Sequence, residues 1–88
     1  MEKFKFYQDA GHGWIAVKKD LLRYLGISHQ ISGFSYESKG GNIAYLEEDS
    51  DALLFAETYK EKFGKLPEVE EIYHGDNSPI RYYPPYSE

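Results

Sequence analysis

The sequence contains no cysteine, which excludes disulfide bonds, thiolate metal ligands and cysteine nucleophiles. It also lacks any apolar run of about 18 residues, and its first ten residues lack the apolar segment of a signal peptide. We therefore expect a soluble, cytoplasmic protein with no membrane association. Its 88 residues suffice for a single domain, 1–88, because a chain of this length cannot form two hydrophobic cores.

Basic residues are scarce: ten Lys and Arg stand against fifteen Asp and Glu, for a net charge of −5. No basic stripe is present, so direct nucleic-acid binding is not expected. Residues 47–71 carry nine acids against three lysines. This segment is suited to a basic protein partner, including one that normally binds nucleic acid. The alternative is an ordinary solvated acidic surface.

The apolar residues predict the element order ββαββα, followed by a late strand. Strands are predicted at 3–7, 14–17, 32–38, 42–46 and, more weakly, 68–74, from period-2 alternation and intervening turn residues. A short helix is predicted from Lys18 to its terminating Gly26. These elements indicate an α+β fold: an antiparallel sheet of four to five strands with two helices on one face.

The second predicted helix has the clearest pattern in the chain. Its apolar stripe consists of Ala52, Phe55, Ala56, Tyr59 and Phe63. Asp49 or Ser50 is expected to cap it, and Gly64 to end it. In the strands before it, Phe34 and Tyr36 are expected to share a face of the sheet.

Five motifs occur in order between Gly11 and Tyr86: GHGWIAV, LRYLGI, ISGFSY, YLEEDSDA and IRYYP. Together they resemble a family of small proteins of plasmids, integrative elements and phages, which is a domain of unknown function. The resemblance implies a mobile-element protein acting inside a bacterial cell. It carries over no catalytic residue.

The first candidate site combines His12 with the acidic cluster Glu47, Glu48 and Asp49, joined by His74 and Asp76 in its larger version. Histidine and carboxylates are the residue types of a general base or of a zinc or manganese site. The spacing, however, matches no metal-binding motif. The structural alternative, which we favour, has the acids stabilising the start of the second helix and His12 holding the glycine turn through a backbone carbonyl or one of the acids.

Trp14 is the second candidate. It is either an exposed stacking or contact residue or, as we favour, a core residue beside Phe34, Tyr36 and Tyr45.

The third candidate is the extended segment 80–88, which is rich in proline and tyrosine. It is either a ligand for a partner's aromatic groove or, as we favour, a brace across the sheet, with Arg81 paired to an acid.

Two classes of function remain open. The favoured one is a non-enzymatic accessory protein that binds a host protein through an acidic, tyrosine-rich surface and inhibits a defence nuclease such as a CRISPR effector. The other is a small metal-dependent enzyme or ligand-binding domain that uses His12 and the acidic cluster. No catalytic residue, cofactor or metal is predicted, and a homodimer paired through KFKFY stays open. The predicted interaction surface consists of His12, Trp14, Glu47, Glu48, Asp49, Asp51, Glu57, Glu61, Arg81, Tyr82, Tyr83 and Tyr86.

Overall fold

The computed structural model describes residues 3–88, which form five strands and two α-helices. The strands are β1 Lys3–Gln8, β2 Gly13–Lys18, β3 Tyr36–Glu37, β4 Ile43–Glu47 and β5 Glu68–Tyr73. The helices are α1 Lys19–Tyr24 and α2 Asp51–Phe63, with short 3-10 helices at Ser28–Gln30 and Pro79–Tyr82. The predicted α+β fold class is confirmed.

The five strands form one sheet in the order β3-β4-β2-β1-β5. The prediction of a purely antiparallel sheet is wrong in one respect, because β5 pairs with β1 in parallel while the other pairs are antiparallel. The path of the chain explains this. Two antiparallel steps, through β2, make β4 run in the direction of β1, and α2 returns the chain so that β5 starts again in that direction.

Both helices pack on the same face of the sheet. Leu22 of α1 and Phe55 of α2 are buried in a core formed with residues of β1, β2 and β4. Phe55 meets the ring of Phe4 edge-on at 5.3 Å, and Tyr59 meets it at 5.6 Å. Phe63, at the end of the predicted stripe, is 44% exposed; its ring stacks on Tyr24 and lies tilted against Tyr59.

The glycines end the helices as expected. Gly26 and Gly64 have φ values of 76° and 81°, a left-handed conformation that glycine adopts without a Cβ clash. Gly64 N–H donates to the carbonyl oxygen of Lys60 at 2.8 Å. Ser50 is the residue before α2, but its side chain makes no capping hydrogen bond.

The predicted strand 32–38 is shortened to β3, Tyr36–Glu37. Gly33 and Phe34 lie in a turn, and the Phe34 side chain is 79% exposed, so it does not share a sheet face with Tyr36. The hydroxyl of Ser32 accepts a hydrogen bond from Phe34 N–H at 3.2 Å. Serine side chains that bond to the backbone two residues later favour turns over strands.

The two edges of the sheet differ. The edge at β3 is covered by the C-terminal segment, residues 80–88. Glu37 N–H donates to the carbonyl oxygen of Pro84, and Tyr86 N–H donates to the carbonyl oxygen of Ser35. The edge at β5 has no such cover within residues 3–88, where β1 is its only paired strand. The expectation that KFKFY is an edge strand, which left a homodimer open, is wrong, because β1 lies between β2 and β5.

Candidate functional site

Asp9 holds the turn between β1 and β2, directly before the GHGW motif. Its side chain is fully buried, and its two carboxylate oxygens accept hydrogen bonds from the backbone N–H groups of Gly11, His12 and Ser78. Arg81 forms a bidentate ion pair with Asp9, in which Nε donates to Oδ2 at 2.5 Å and Nη2 donates to Oδ1 at 2.8 Å. The Arg81 guanidinium and these N–H groups hold the pKa of Asp9 well below its usual range. Asp9 thus joins the GHGW turn to the C-terminal IRYYP motif.

His12 is exposed at the tip of this turn. Within residues 3–88, no hydrogen bond or ion pair joins its ring to Glu47, Glu48 or Asp49, and no group of three His, Asp or Glu side chains is arranged to hold a metal ion. Its ring instead lies 6.0 Å from that of Trp14. A backbone hydrogen bond connects the turn to the acidic cluster: Glu48 N–H donates to the carbonyl oxygen of Gly13 at 3.0 Å.

His74, from the larger version of this candidate site, lies elsewhere. Its ring stacks on Tyr7 at 4.9 Å, and its Nδ1 is 2.7 Å from the hydroxyl of Ser78. Asp76 is exposed in the following loop. The structure therefore does not assemble the candidate metal site.

Trp14 is only 2% exposed and lies on the face of the sheet opposite the helices. Tyr36 meets its ring edge-on at 6.1 Å, and the guanidinium carbon of Arg81 lies 5.7 Å from its centre. Of the three predicted neighbours, Phe34 and Tyr36 border an adjoining recess of about 350 Å³. Trp14 Nε1 is the one buried side-chain nitrogen or oxygen of residues 3–88 without a hydrogen-bond partner, an arrangement that typically costs about 1–3 kcal/mol.

Asp51 is buried at the start of α2. Its Oδ2 accepts hydrogen bonds from the N–H and hydroxyl of Ser32, at 3.0 and 2.6 Å, and from the hydroxyl of Ser35 at 2.5 Å. Ser35 in turn accepts from Glu47 N–H at 3.0 Å. Asp51 thus joins the YLEEDSDA motif to ISGFSY, much as Asp9 joins the first motif to the last.

The C-terminal segment is held at several points. Tyr86 is buried in the core and donates its hydroxyl to the carbonyl of Ser28 at 2.7 Å, and burial raises the pKa of this phenol. Buried Lys19 pairs with Glu37 at 2.6 Å and donates to the carbonyl of Ser87, also at 2.6 Å. The Lys19 ammonium is also the main reason that the pKa of Glu37 is lowered.

The middle of the segment covers the other face of the sheet. Ile80 is buried there, and the Tyr83 ring lies 5.3 Å from that of Tyr45. Desolvation raises the pKa of Tyr45, with smaller contributions from Tyr83 and Tyr7. Tyr82, by contrast, is 76% exposed.

The twelve residues of the predicted interaction surface therefore do not form one surface. Trp14, Asp51 and Tyr86 are buried and cannot contact a partner as the protein stands. His12, Glu47 and Arg81 line the recess beside Trp14, with Tyr82 and Tyr83 following on the same segment. Glu48, Asp49, Glu57 and Glu61 are exposed on and just before α2.

Exposed acids also continue onto β5, which the sequence reasoning left out of the surface. Glu68, Glu70 and Glu71 are all exposed. Glu71 borders the groove on the helix face, whereas Glu68 and Glu70 are in register with Lys3 and Lys5 on the opposite face of the sheet. We call these three with Glu57 and Glu61 of α2 the acidic surface, which spans both faces of the sheet at β5. The two elements border an apolar groove of about 350 Å³, whose lining is Phe6, Ile15, Ala52, Ala56, Leu66, Pro67, Val69 and Glu71. Exposed Glu71 thus lies at the groove together with exposed Leu66 and Val69.

Of the two carboxylates that join the motifs, sequence reasoning missed Asp9 and placed Asp51 on the interaction surface. For Asp9 a local signal was present, because aspartate two residues before a glycine favours an Asx-turn in which its side chain accepts backbone N–H groups. For Asp51 the neighbouring acids concealed the signal, since an acid in the first turn of a helix is usually solvated.

No family model, no curated protein and no solved structure matches this chain. No helix of residues 3–88 is long and apolar enough to cross a membrane. The resemblance to the mobile-element family therefore stays a prediction.

Proposed function

We propose that this chain is a non-enzymatic accessory protein of a mobile element and binds a host protein through its acidic surface. The partner has a basic surface that normally binds nucleic acid, as a defence nuclease such as a CRISPR effector does. By occupying that surface, the protein keeps nucleic acid away from it.

The observation that carries the proposal is the placement of the acids. Five glutamates are exposed on α2 and β5, the elements that border the apolar groove, and exposed Leu53, Leu66 and Val69 belong to the same region of the chain. Charge complementarity speeds encounter with a basic partner, and buried apolar contacts slow dissociation. Exposed acids on the two elements that border an apolar groove fit a partner that is both basic and apolar.

The test is affinity capture from a bacterial host lysate with the tagged protein. We expect one stoichiometric host protein that is released as the salt concentration rises and that competes with added DNA or RNA. The double variant Glu57→Lys/Glu61→Lys should abolish its capture. The control Asp20→Lys/Asp76→Lys makes the same change in net charge at two exposed positions outside the acidic surface.

Equal capture by both double variants would contradict the proposal. If both lose capture, net charge alone matters; if both keep it, Glu57 and Glu61 do not contribute. The proposal would also be contradicted if the captured protein were not released as the salt concentration rises and did not compete with added DNA or RNA. If the partner is a nuclease, its cleavage rate should fall when the wild-type protein is added and recover with the double variant.

A further inference from the structure

The free edge of β5 has the geometry of a strand-binding site. Its backbone pairs with β1 on one side and, within residues 3–88, with nothing on the other. An unpaired strand edge presents a row of N–H and C=O groups that can hydrogen-bond an added strand. At the opposite edge of the sheet, β3 is covered by the segment containing Pro84 and Pro85, which supplies hydrogen bonds of its own.

The register identifies which backbone groups are available. His74 N–H, just after β5, donates to the carbonyl of Gln8 at 2.7 Å. Backbone groups alternate in direction along a strand, so Glu70 and Ile72 also turn towards β1. The N–H and C=O groups of Val69, Glu71 and Tyr73 therefore point to the free edge.

The side chains of β5 define what kind of strand fits. On the open face of the sheet, Glu68 and Glu70 are in register with Lys3 and Lys5 of β1. On the helix face, Val69 is in register with Phe4 and borders the apolar groove. The strand already paired with β5 thus alternates lysine with a large apolar residue. Its lysines lie beside glutamates of β5, and its apolar residue lies beside Val69.

We infer that the free edge of β5 binds an extended segment of the partner in which basic and apolar residues alternate. The added strand hydrogen-bonds Val69, Glu71 and Tyr73, places its basic side chains beside Glu68 and Glu70, and places its apolar side chains over the groove next to Val69. A second copy of this chain is a poor occupant, because pairing two β5 strands would bring their glutamates together. The inference rests on the proposed function only for the basic character of the partner.

Synthetic peptides test this directly on the full chain. The probe is a capped seven-residue peptide, KVKVKVK, which is one residue longer than β5. One control peptide, KKVVVKK, has the same composition without the alternation, and EVEVEVE reverses the charge. We expect KVKVKVK to bind at least tenfold more tightly than either control, with affinity that falls as salt rises.

Amide hydrogen exchange on the wild-type protein locates the peptide. In the free protein, the amides of Glu70 and Ile72 should exchange slowly and those of Val69, Glu71 and Tyr73 rapidly. Saturating KVKVKVK should slow exchange at the three outward amides. The inference would be overturned if KKVVVKK bound as tightly as KVKVKVK, or if saturating KVKVKVK left the exchange rates of these three amides unchanged. A protein that already dimerises through β5 would also overturn it.

A proline variant separates backbone pairing from charge. Of the backbone donors of β5, Glu71→Pro removes one N–H that faces the free edge and none that faces β1, and proline is tolerated at such edge positions. The matched control Glu71→Ala loses the same carboxylate and the same hydrogen bond from Gln8 Nε2, at 2.9 Å, but keeps the N–H. We expect Glu71→Ala to bind KVKVKVK within about threefold of wild type and Glu71→Pro to lose binding at least tenfold, with both variants folded. Similar binding by the two variants would refute strand pairing.

The peptide and lysate experiments can fail separately. If KVKVKVK binds at β5 but no salt-sensitive host protein is captured, the strand-binding site stands and the proposed function is wrong. If a host protein is captured through Glu57 and Glu61 but Glu71→Pro captures it equally well, the function stands and the strand-pairing inference is wrong.

Discussion

Replacing Asp51 should destabilise this protein far more than replacing either neighbouring acid. The Asp51→Ala variant leaves three donors without an acceptor: the N–H and hydroxyl of Ser32 and the hydroxyl of Ser35. A hydrogen bond contributes about 0.5–1.5 kcal/mol to stability, so the three together predict a loss of about 3 kcal/mol. The total stability expected of 88 residues is only about 4–13 kcal/mol.

Urea denaturation followed by circular dichroism measures this loss. With a denaturant slope of about 1 kcal/mol/M, typical of a small domain, the unfolding midpoint should fall by about 3 M. Asp51→Asn keeps one acceptor oxygen and should lose about half as much. Asp49→Ala is the matched control, because Asp49 is exposed and lies two residues away; its effect should stay within about 0.5 kcal/mol. If Asp51→Ala is no more destabilising than Asp49→Ala, the proposed role of Asp51 in joining the two motifs is refuted.

Three further predictions concern contacts between distant parts of the chain. Because the pKa of Asp9 is lowered in the folded protein, its ion pair stabilises above the ordinary carboxyl pKa of about 4 and is lost as pH falls further. The wild type should therefore lose stability between pH 4 and pH 2 more steeply than Asp9→Asn, and parallel urea midpoints over that range would contradict this. Tyr86→Phe removes the hydroxyl donated to Ser28 and should cost about 1 kcal/mol in urea denaturation, whereas Tyr82→Phe, at an exposed position, should cost less than about 0.5 kcal/mol; equal losses would show that the Ser28 contact is not formed. Phe55→Ala should cost about 3–5 kcal/mol in the same measurement, because Phe55 is fully buried against Phe4, and a loss below about 1 kcal/mol would refute its central place in the core.

The parts of the fold that depend on local chemistry could be predicted from the sequence. The alternation of KFKFY predicted β1, the apolar spacing around Phe55 predicted α2, and Gly26 and Gly64 predicted where the helices end. These features depend on side-chain periodicity and on the freedom of glycine to take positive φ, both of which are properties of a short stretch of chain. The α+β class followed from the order of such stretches.

For the candidate site, the sequence could predict which residue types are present but not which of them are buried or in contact. The sequence identified the acids of segment 47–71 and the unusual surroundings of His12 and Trp14. It did not indicate that Asp51 is buried while Asp49 is exposed, because both are acids near a helix start and differ only in what lies across from them. That difference depends on Ser32 and Ser35, which are brought to Asp51 by the packing of distant segments.

The local elements and the excess of acid follow from short-range patterns and composition, both of which can be derived from the sequence alone. The tertiary structure decided which residues meet: Asp9 with Arg81, Asp51 with two serines, and β5 with β1 in parallel. Among the described residues, 3–88, it is β5 and not β1 that has an unpaired edge, because α2 carries the chain past β2 and β1 before the last strand forms. Such pairings join residues up to 72 positions apart, and their energies depend on burial and geometry that no short stretch of sequence contains.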